Sequence, residues 1–435
     1  MPLYKGLGIG LGTDAHTIVL DLGEAYSKLG FAGEDQPRMV IPTTIETIGG
    51  PVTYIFKSDH TSIVGHEVAP DLQRSIQTFF DKVFYKHLQV NPKLQRVIIC
   101  ESLLNPTKIR EAVATVLFQH FEVPSIFFAP HHLLACFTIA VNTALVLDCS
   151  YRETLVIPVI ENTPVLWGWQ AAPLGAASIH HSIMDEILDK GKIQLEHNPA
   201  TPVTQRLSDK VLEDIKVKAC FVSEYERAKK IQSAKWSKEP IEEILQQKEM
   251  VYPLDGVTRL IIPSSIRENA AEVLFEQDND QVSVATLVLD SLLNCPIDSR
   301  KELARNLLVT GGTSMLPGFR HRLLFELKEL VQHEERYNSK LSECEFRVHN
   351  PPIHANLVGW LGASIFATLE AFQRKSITKE YFNQHNGKLP DWCATDITPP
   401  NEAILPPFKV KPRLSLPSAG TKRIKSESHH TKSES

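Results

Sequence analysis

Paired cysteines, long uninterrupted apolar runs and an excess of basic charge are all missing from this 435-residue chain. Its seven cysteines, Cys100, Cys136, Cys149, Cys220, Cys295, Cys344 and Cys393, are odd in number, widely spaced and form no C-x-x-C pair. That pattern excludes a disulfide framework and the usual zinc spacings, and it predicts a reducing compartment. Lys and Arg number 46 against 51 Asp and Glu, a net charge of −5. A general nucleic-acid binder carries a strong basic excess, so none is expected here. The most apolar window, residues 124–149, is broken by Pro130, His131, His132 and Asn142. It reads as strand, helix, strand rather than as a membrane span. The start, Met1-Pro2-Leu3-Tyr4-Lys5, has neither the charged nor the apolar region of a secretory signal. A cytosolic or nuclear protein is expected, with no nucleic-acid partner and no membrane insertion. The 43% hydrophobic and 22% charged residues describe an ordinary globular chain of one to three domains.

The stretch from Leu20 to Glu34, LDLGEAYSKLGFAGE, carries the most chemistry. Thr17 to Asp21 reads as a short apolar strand, Leu22 to Ala25 as a tight turn around Gly23, and Tyr26 to Phe31 as the returning strand of a hairpin. An acid ending one strand, Asp21, and a lysine on the next, Lys28, can hold a metal-bound phosphate between them. Gly23 lets the turn's N–H groups approach phosphate oxygens. The glycine-rich run from Gly6 to Gly12 has the composition of a nucleotide loop, but no strand precedes it and a strand follows it. Residues 1–14 are therefore expected to be a flexible arm.

Beyond the hairpin, strands and helices alternate. Strands are predicted at Arg96 to Cys100, Ile126 to Ala129 and Ala144 to Asp148, with helices at Pro106 to Phe121 and His132 to Val141. Thr154 to Ile160 with Val165 to Trp169 reads as a second hairpin. Asp21-turn-strand and Asp148-turn-strand repeat one device, once in each half. Two such halves facing each other make a cleft with an acid on each wall, the layout of the actin, hexokinase and Hsp70 superfamily. The predicted class is α/β with two lobes. The first lobe spans 15–145 with a short subdomain at about 44–82, and the second spans 146–350 with a charged, helical insertion at about 176–275. Residues 351–398 return to the first lobe. Residues 399–435 are rich in Pro, Ser and Lys, with seven Lys or Arg against two Glu from Lys409 onward. Such a basic tail cannot bury enough apolar surface to fold alone.

The hairpin with its Gly30-Phe31-Ala32-Gly33-Glu34 run resembles the first phosphate-binding hairpin of actin and the actin-related proteins. Cys295 to Leu303 and Asn306-Leu307-Leu308-Val309-Thr310-Gly311-Gly312-Thr313 are similar to the actin segment that closes over the nucleotide base. Asn350-Pro351-Pro352 and Trp360 to Ile365 resemble the last nucleotide-side loop and helix. The likeness runs from Thr17 to about Tyr381 and implies the actin fold, two duplicated ribonuclease H-like domains with a reduced second subdomain. Within that family the chain is most similar to actin-related proteins of the dynactin pointed end, through Val83 to Pro92, Leu212 to Ser223 and Lys388 to Cys393.

The resemblance implies a nucleotide site. Asp21 matches the metal-side acid, Lys28 the phosphate lysine, Asp148 the second acid and Lys216 a lysine beside the adenosine. Gly23 shapes the first turn, and Gly311, Gly312 and Thr313 match the base-binding turn. The implied ligand is ATP or ADP with magnesium, structural and slowly exchanging. Departures from the family pattern are equally specific. Glu24 and Ala25 replace a phosphate-contacting serine and a glycine. Cys149-Ser150-Tyr151-Arg152 has no glycine where the second phosphate loop needs one. A Glu24 carboxylate about 4 Å from a phosphate costs on the order of 4 kcal/mol at an effective dielectric of about 20. Arg152 either compensates on a phosphate or lies on the surface. Val217 stands where actins have the ribose-binding acid. His131 and Leu155 occupy the positions of the glutamine and histidine that activate water, and a leucine relays no proton.

Between Pro42 and Phe84 the chain is about a dozen residues shorter than actins and lacks the loop that enters the next filament subunit. By resemblance it is a non-polymerising, non-enzymatic structural subunit of the cytoplasm and cytoskeleton. It would cap the actin-like filament of dynactin at the pointed end and support dynein-driven transport. Its expected partners are the actin-like filament subunits and other pointed-end subunits, and it is not expected to form homo-oligomers. The filament-binding face is expected on the helices around Ser283 to Cys295 and Arg320 to Leu330. An ATP-hydrolysing actin-like filament protein or sugar-kinase relative, and a nuclear actin-related subunit of a chromatin-modifying complex, stand as the alternatives. Limited proteolysis is expected to remove the segment after about Pro406 first; its survival while other loops are nicked would mean that it is docked.

Overall fold

A computed structural model describes residues 17–46, 52–56, 63–64, 67–68, 70–103, 105–195, 198–237, 249–277 and 280–390. The expected N-terminal arm and basic tail lie outside these residues, as do Lys57 to Ser62 of the subdomain expected to be short.

Two mixed sheets form the centres of two lobes. The first runs in the order Ile377–Thr378, Ser125–Pro130, Arg96–Glu101, Thr17–Leu22, Tyr26–Phe31 and Met39–Pro42. Thr17–Leu22 pairs antiparallel with its hairpin partner and parallel with Arg96–Glu101. The central run Arg-Val-Ile-Ile-Cys-Glu is buried from its second residue on, as a strand covered on both faces requires. The second sheet runs Thr163–Pro164, Thr154–Ile160, Ala144–Cys149 and Leu307–Thr310, with Gln170–Ala172 also pairing with Thr154–Ile160. Its hairpin repeats the first: Asp148 faces Leu155 across the ladder as Asp21 faces Lys28. Both acids therefore end a buried strand on the same side of their sheet.

The helix Val358–Ala367 returns the chain to the first lobe and packs beneath its sheet, with the buried Trp360 Nε1 donating to Val19 O at 3.1 Å. Ala135, Cys136, Ala144, Val146, Leu308 and Val358 share a small apolar core drawn from both lobes. That core sits behind the two acids and fixes where the strand ends meet.

Several elements differ from expectation. The helix foreseen at Pro106 to Phe121 is an α-helix at Thr107–Thr115 that widens into a π-turn at Val116–His120. Val165 to Trp169 is not a strand, because a 3-10 turn at Leu166–Gly168 divides the returning arm. The insertion is not only helical; it carries a sheet in the order Thr201–Pro202, Lys192–Leu195, Thr258–Ile262, Met250–Pro253. The helix Val284–Asn294 is largely buried in the core of the second lobe and offers little face for a partner. Its apolar residues sit all round the helix rather than on one stripe, which is the pattern of a core helix.

The insertion is tied to the second lobe by buried charge. Arg322, on the helix Phe319–His333, donates from both Nη atoms to Glu272 at 3.2 and 3.1 Å and from Nε to Glu326 at 2.8 Å. Arg322 and Glu272 side chains are 2% and 0% exposed. Removing one partner strands a buried charge, which costs about 3–5 kcal/mol. Arg322→Met is expected to lower urea stability by about that much, and Arg322→Met/Glu272→Leu to recover most of the loss. Equal losses in both variants would place the effect in packing instead.

Candidate functional site

The cleft between the lobes opens on a cavity of about 1310 Å³, and all eight site residues expected from the sequence line it. They arrive from four directions: Asp21, Gly23 and Lys28 from the first hairpin, Asp148 from the second, and Lys216 from the helix Asp209–Ala219. Gly311, Gly312 and Thr313 follow the strand Leu307–Thr310. Gly23 is required by the turn itself, since a Cβ there would lie 2.6 Å from Tyr26 O.

Each charged member already has a partner. Lys28 Nζ lies 2.9 Å from Asp21 Oδ2, with both side chains mostly enclosed. Asp148 Oδ1 accepts from Ser150 Oγ at 2.8 Å. Lys216 Nζ donates to Glu213 Oε2 at 2.7 Å, one helical turn away, and His180 Nε2 lies 3.0 Å from the same oxygen. Burial alone would raise the Glu213 carboxyl, but the hydrogen bonds from His180 and Lys216 outweigh it and hold it at about 2. Glu213 was legible only as an i,i+3 neighbour of Lys216. His180 lies more than thirty positions away, and no sequence signal connects the two.

Gly311 plays a different part from the one its motif suggests. With φ +89°, its α-hydrogen side faces Cys149 O and Asp148 Oδ1, which a Cβ would meet at 2.2 and 2.5 Å. Its close approach is to the end of the neighbouring strand and not to the cavity. Thr313 Oγ1 donates to Ser150 O at 2.6 Å, so this residue too is spent on joining the two loops. Gly312 is the open one: a Cβ there would meet only Asn356 Cβ, at 3.9 Å.

The two turns that face each other across the cleft are joined directly. Arg152 Nε donates to Glu24 Oε1. Arg152 is thus partly buried against Glu24 rather than simply a surface residue, and Glu24 is neutralised by the chain itself. His131 lines the cavity with Nε2 3.5 Å from Thr310 Oγ1, and the buried Leu155 lines it beside Asp148. Leu155 has no donor or acceptor, and the imidazole of His131 lacks the carboxamide's adjacent donor and acceptor. His132, next to it, is fully enclosed, and burial pushes its imidazole down to about 4, which keeps it neutral.

An adenine nucleotide with magnesium, the group the resemblance implies, fits this cavity in one half only. Around Gly312, Lys216, the exposed Val217 and the half-exposed Met315 there is space and apolar surface for a nucleoside. At the hairpin turns, a terminal phosphate with its metal would have to part Glu24 from Arg152. It would then lie among the carboxylates of Asp21, Glu24, Asp148 and Glu153. Among the described residues no three His, Cys, Asp or Glu side chains are grouped to hold a metal ion.

Glu153 reports that negative field. Burial first, then Asp148 and Glu24, push its carboxyl from 4.5 up to about 7. It is neutral in both folded and unfolded chain well below about pH 4.5; above that its burial penalty grows until about pH 7 and is constant beyond. Glu153→Gln is therefore expected to match the wild type in melting temperature near about pH 4.5 and to exceed it near about pH 8. A pH-independent difference would mean that Glu153 is not held in this field.

Among the described residues no helix is long and apolar enough to cross a membrane. The actin family pattern matches residues 12–389. The chain is also similar to Actin-related protein 10 from Dictyostelium discoideum, 28% identical over 86% of this chain and 89% of the other. With the hairpin pair, the two-lobed sheets and the cavity between them, the match over most of the sequence places this chain in the actin family.

Proposed function

We propose that this chain is a structural actin-family subunit that does not turn over ATP and that caps the pointed end of the actin-like filament of dynactin in the cytoplasm. The observation that carries the reading is the Glu24–Arg152 pair between the two hairpin turns, in the place where a hydrolysed phosphate would sit. Leu155 supports it, because the residue across the ladder from Asp148 relays no proton to or from water. In this reading an adenine nucleotide, ADP or ATP, is held as a fixed part of the fold. Lys28 and Lys216 supply charge, Gly312 lets the backbone lie close, and Asp21, Gly23, Asp148, Gly311 and Thr313 set the shape of the two turns.

The shortened first lobe supports the filament-end role. Its distal hairpin, Thr44–Glu46 with Val52–Tyr54, is small, and Tyr54 folds back onto Tyr151 of the other lobe with ring centroids 6.1 Å apart. A head-to-tail assembly grows while each subunit offers both faces, and it stops at one that offers a single face. The free face is then available to other pointed-end subunits, and through them to dynein-driven transport.

The direct test is sedimentation of the pure chain in polymerising salt together with a steady-state ATPase assay. Expected are no pellet at any concentration and a rate at the buffer background. An actin-like filament in the pellet, or a filament-stimulated rate, would overturn the capping reading. Affinity purification should recover dynactin subunits; chromatin-modifying subunits in their place would favour a nuclear role.

A further inference from the structure

Residues Tyr151 and Arg152, adjacent on one turn of the second lobe, grip two separate elements of the first lobe. Arg152 holds Glu24 on the Asp21–Lys28 hairpin, with the side chains 32% and 14% exposed. Tyr151 meets Tyr54 on the distal hairpin, their ring centroids 6.1 Å apart and their planes inclined by 33°. The gripping turn is itself stiff. Ser150 N donates to Glu153 O at 3.0 Å, Ser150 Oγ holds Asp148, and Thr313 holds Ser150 O. Opening the cleft must break a charge-assisted hydrogen bond in a partly dehydrated site, where such bonds are strongest.

A metal-bound terminal phosphate would bridge the same two turns, and its acceptors and donors are already matched within the chain. We propose that Glu24 and Arg152 form an internal latch that replaces a metal–phosphate bridge, so that the cleft closes without ligand and discriminates against a magnesium-bound nucleoside triphosphate. The ligand class it accepts is a nucleotide lacking the terminal phosphate, free of metal. The discrimination rests on the proposed nucleotide occupancy of the cleft; the closure does not. A triphosphate has to displace Arg152 from Glu24 and then place its own negative charge beside that carboxylate. A diphosphate ends short of both.

The experiment uses the full chain, stripped of nucleotide in chelator. Hydrogen–deuterium exchange is followed at residues 22–25 and 150–153. Glu24→Ala and Arg152→Ala are each expected to speed exchange at both turns by about fivefold or more, and Glu24→Arg/Arg152→Glu to return it to within about twofold of wild type. Unchanged exchange in the single variants would overturn the latch. In parallel, calorimetry compares ADP in chelator with ATP plus magnesium. Wild type is expected to bind the first at least about tenfold more tightly, and Glu24→Ser/Arg152→Gly to reverse the order. Equal affinity of the wild type for both would overturn the discrimination. If neither nucleotide binds either form while the exchange results hold, the nucleotide reading fails and the latch stands.

Discussion

Asp21 and Asp148, each nearly enclosed at the end of a buried strand, put like charge on the two walls of one cleft. Everything near them answers that charge. The first hairpin does so in register, because Lys28 sits directly across the ladder from Asp21. The second hairpin cannot, since the matching position is Leu155. Asp148 is instead held by the Ser150 hydroxyl, and the cation of that turn, Arg152, reaches across to Glu24. Two unit charges at about 4 Å interact by on the order of 4 kcal/mol at an effective dielectric of about 20. An arrangement that left Glu24 facing those acids without Arg152 would push the turns apart. Burial raises the Glu153 carboxyl, and the nearby Asp148 and Glu24 charges add to that rise.

The backbone makes that arrangement possible. Gly311 lies so close to Cys149 and Asp148 that no side chain fits, which brings the base-side loop against the second acid strand. Thr313 then fixes Ser150, and Ser150 fixes the turn that carries Arg152. Behind them the shared core around Val146, Leu308 and Val358 holds strands of one lobe against helices of the other. Position is set by packing and charge is settled on top of it. A polar site of this kind keeps one geometry only when its members satisfy one another.

The duplication, the order of strands and helices and the cavity-lining residues were legible, because each rests on local pattern: an acid ending an apolar run, then a turn, then a second run. What escaped the sequence is contact between distant segments. Glu24 and Arg152 each read as a defect in a phosphate loop when taken alone, and their pairing over more than a hundred residues appears only in the fold. The dipeptide Gly311-Gly312 matches a base-binding turn, yet only Gly312 has open space. The helix after Ser283 carries a capping box and apolar residues on every side, a pattern that could have announced a core element rather than an outer face. The π-turn at Val116–His120 has no local sequence signal; it is followed by Phe121, whose ring packs against Phe80 and Phe84.

A protein whose two lobes are bridged by a ligand takes its shape from that ligand's state, because a ligand shifts an equilibrium by its differential affinity for the two conformations. Replacing the bridge by side chains removes the term. Under the proposed latch the closed cleft has one preferred form whatever the nucleotide chemistry, without the change of shape that would accompany hydrolysis. For an interior filament subunit that is a loss, since growth and disassembly draw on the difference between states. At a filament end the demand is opposite: the face presented to the neighbour has to persist, and a heterologous contact stays terminated only while the other face remains unsuitable for a further copy. A small distal hairpin folded onto the opposite lobe through Tyr54 and Tyr151 meets that demand with the residues that also hold the cleft shut. In the proposed capping role, closure and termination draw on one set of contacts.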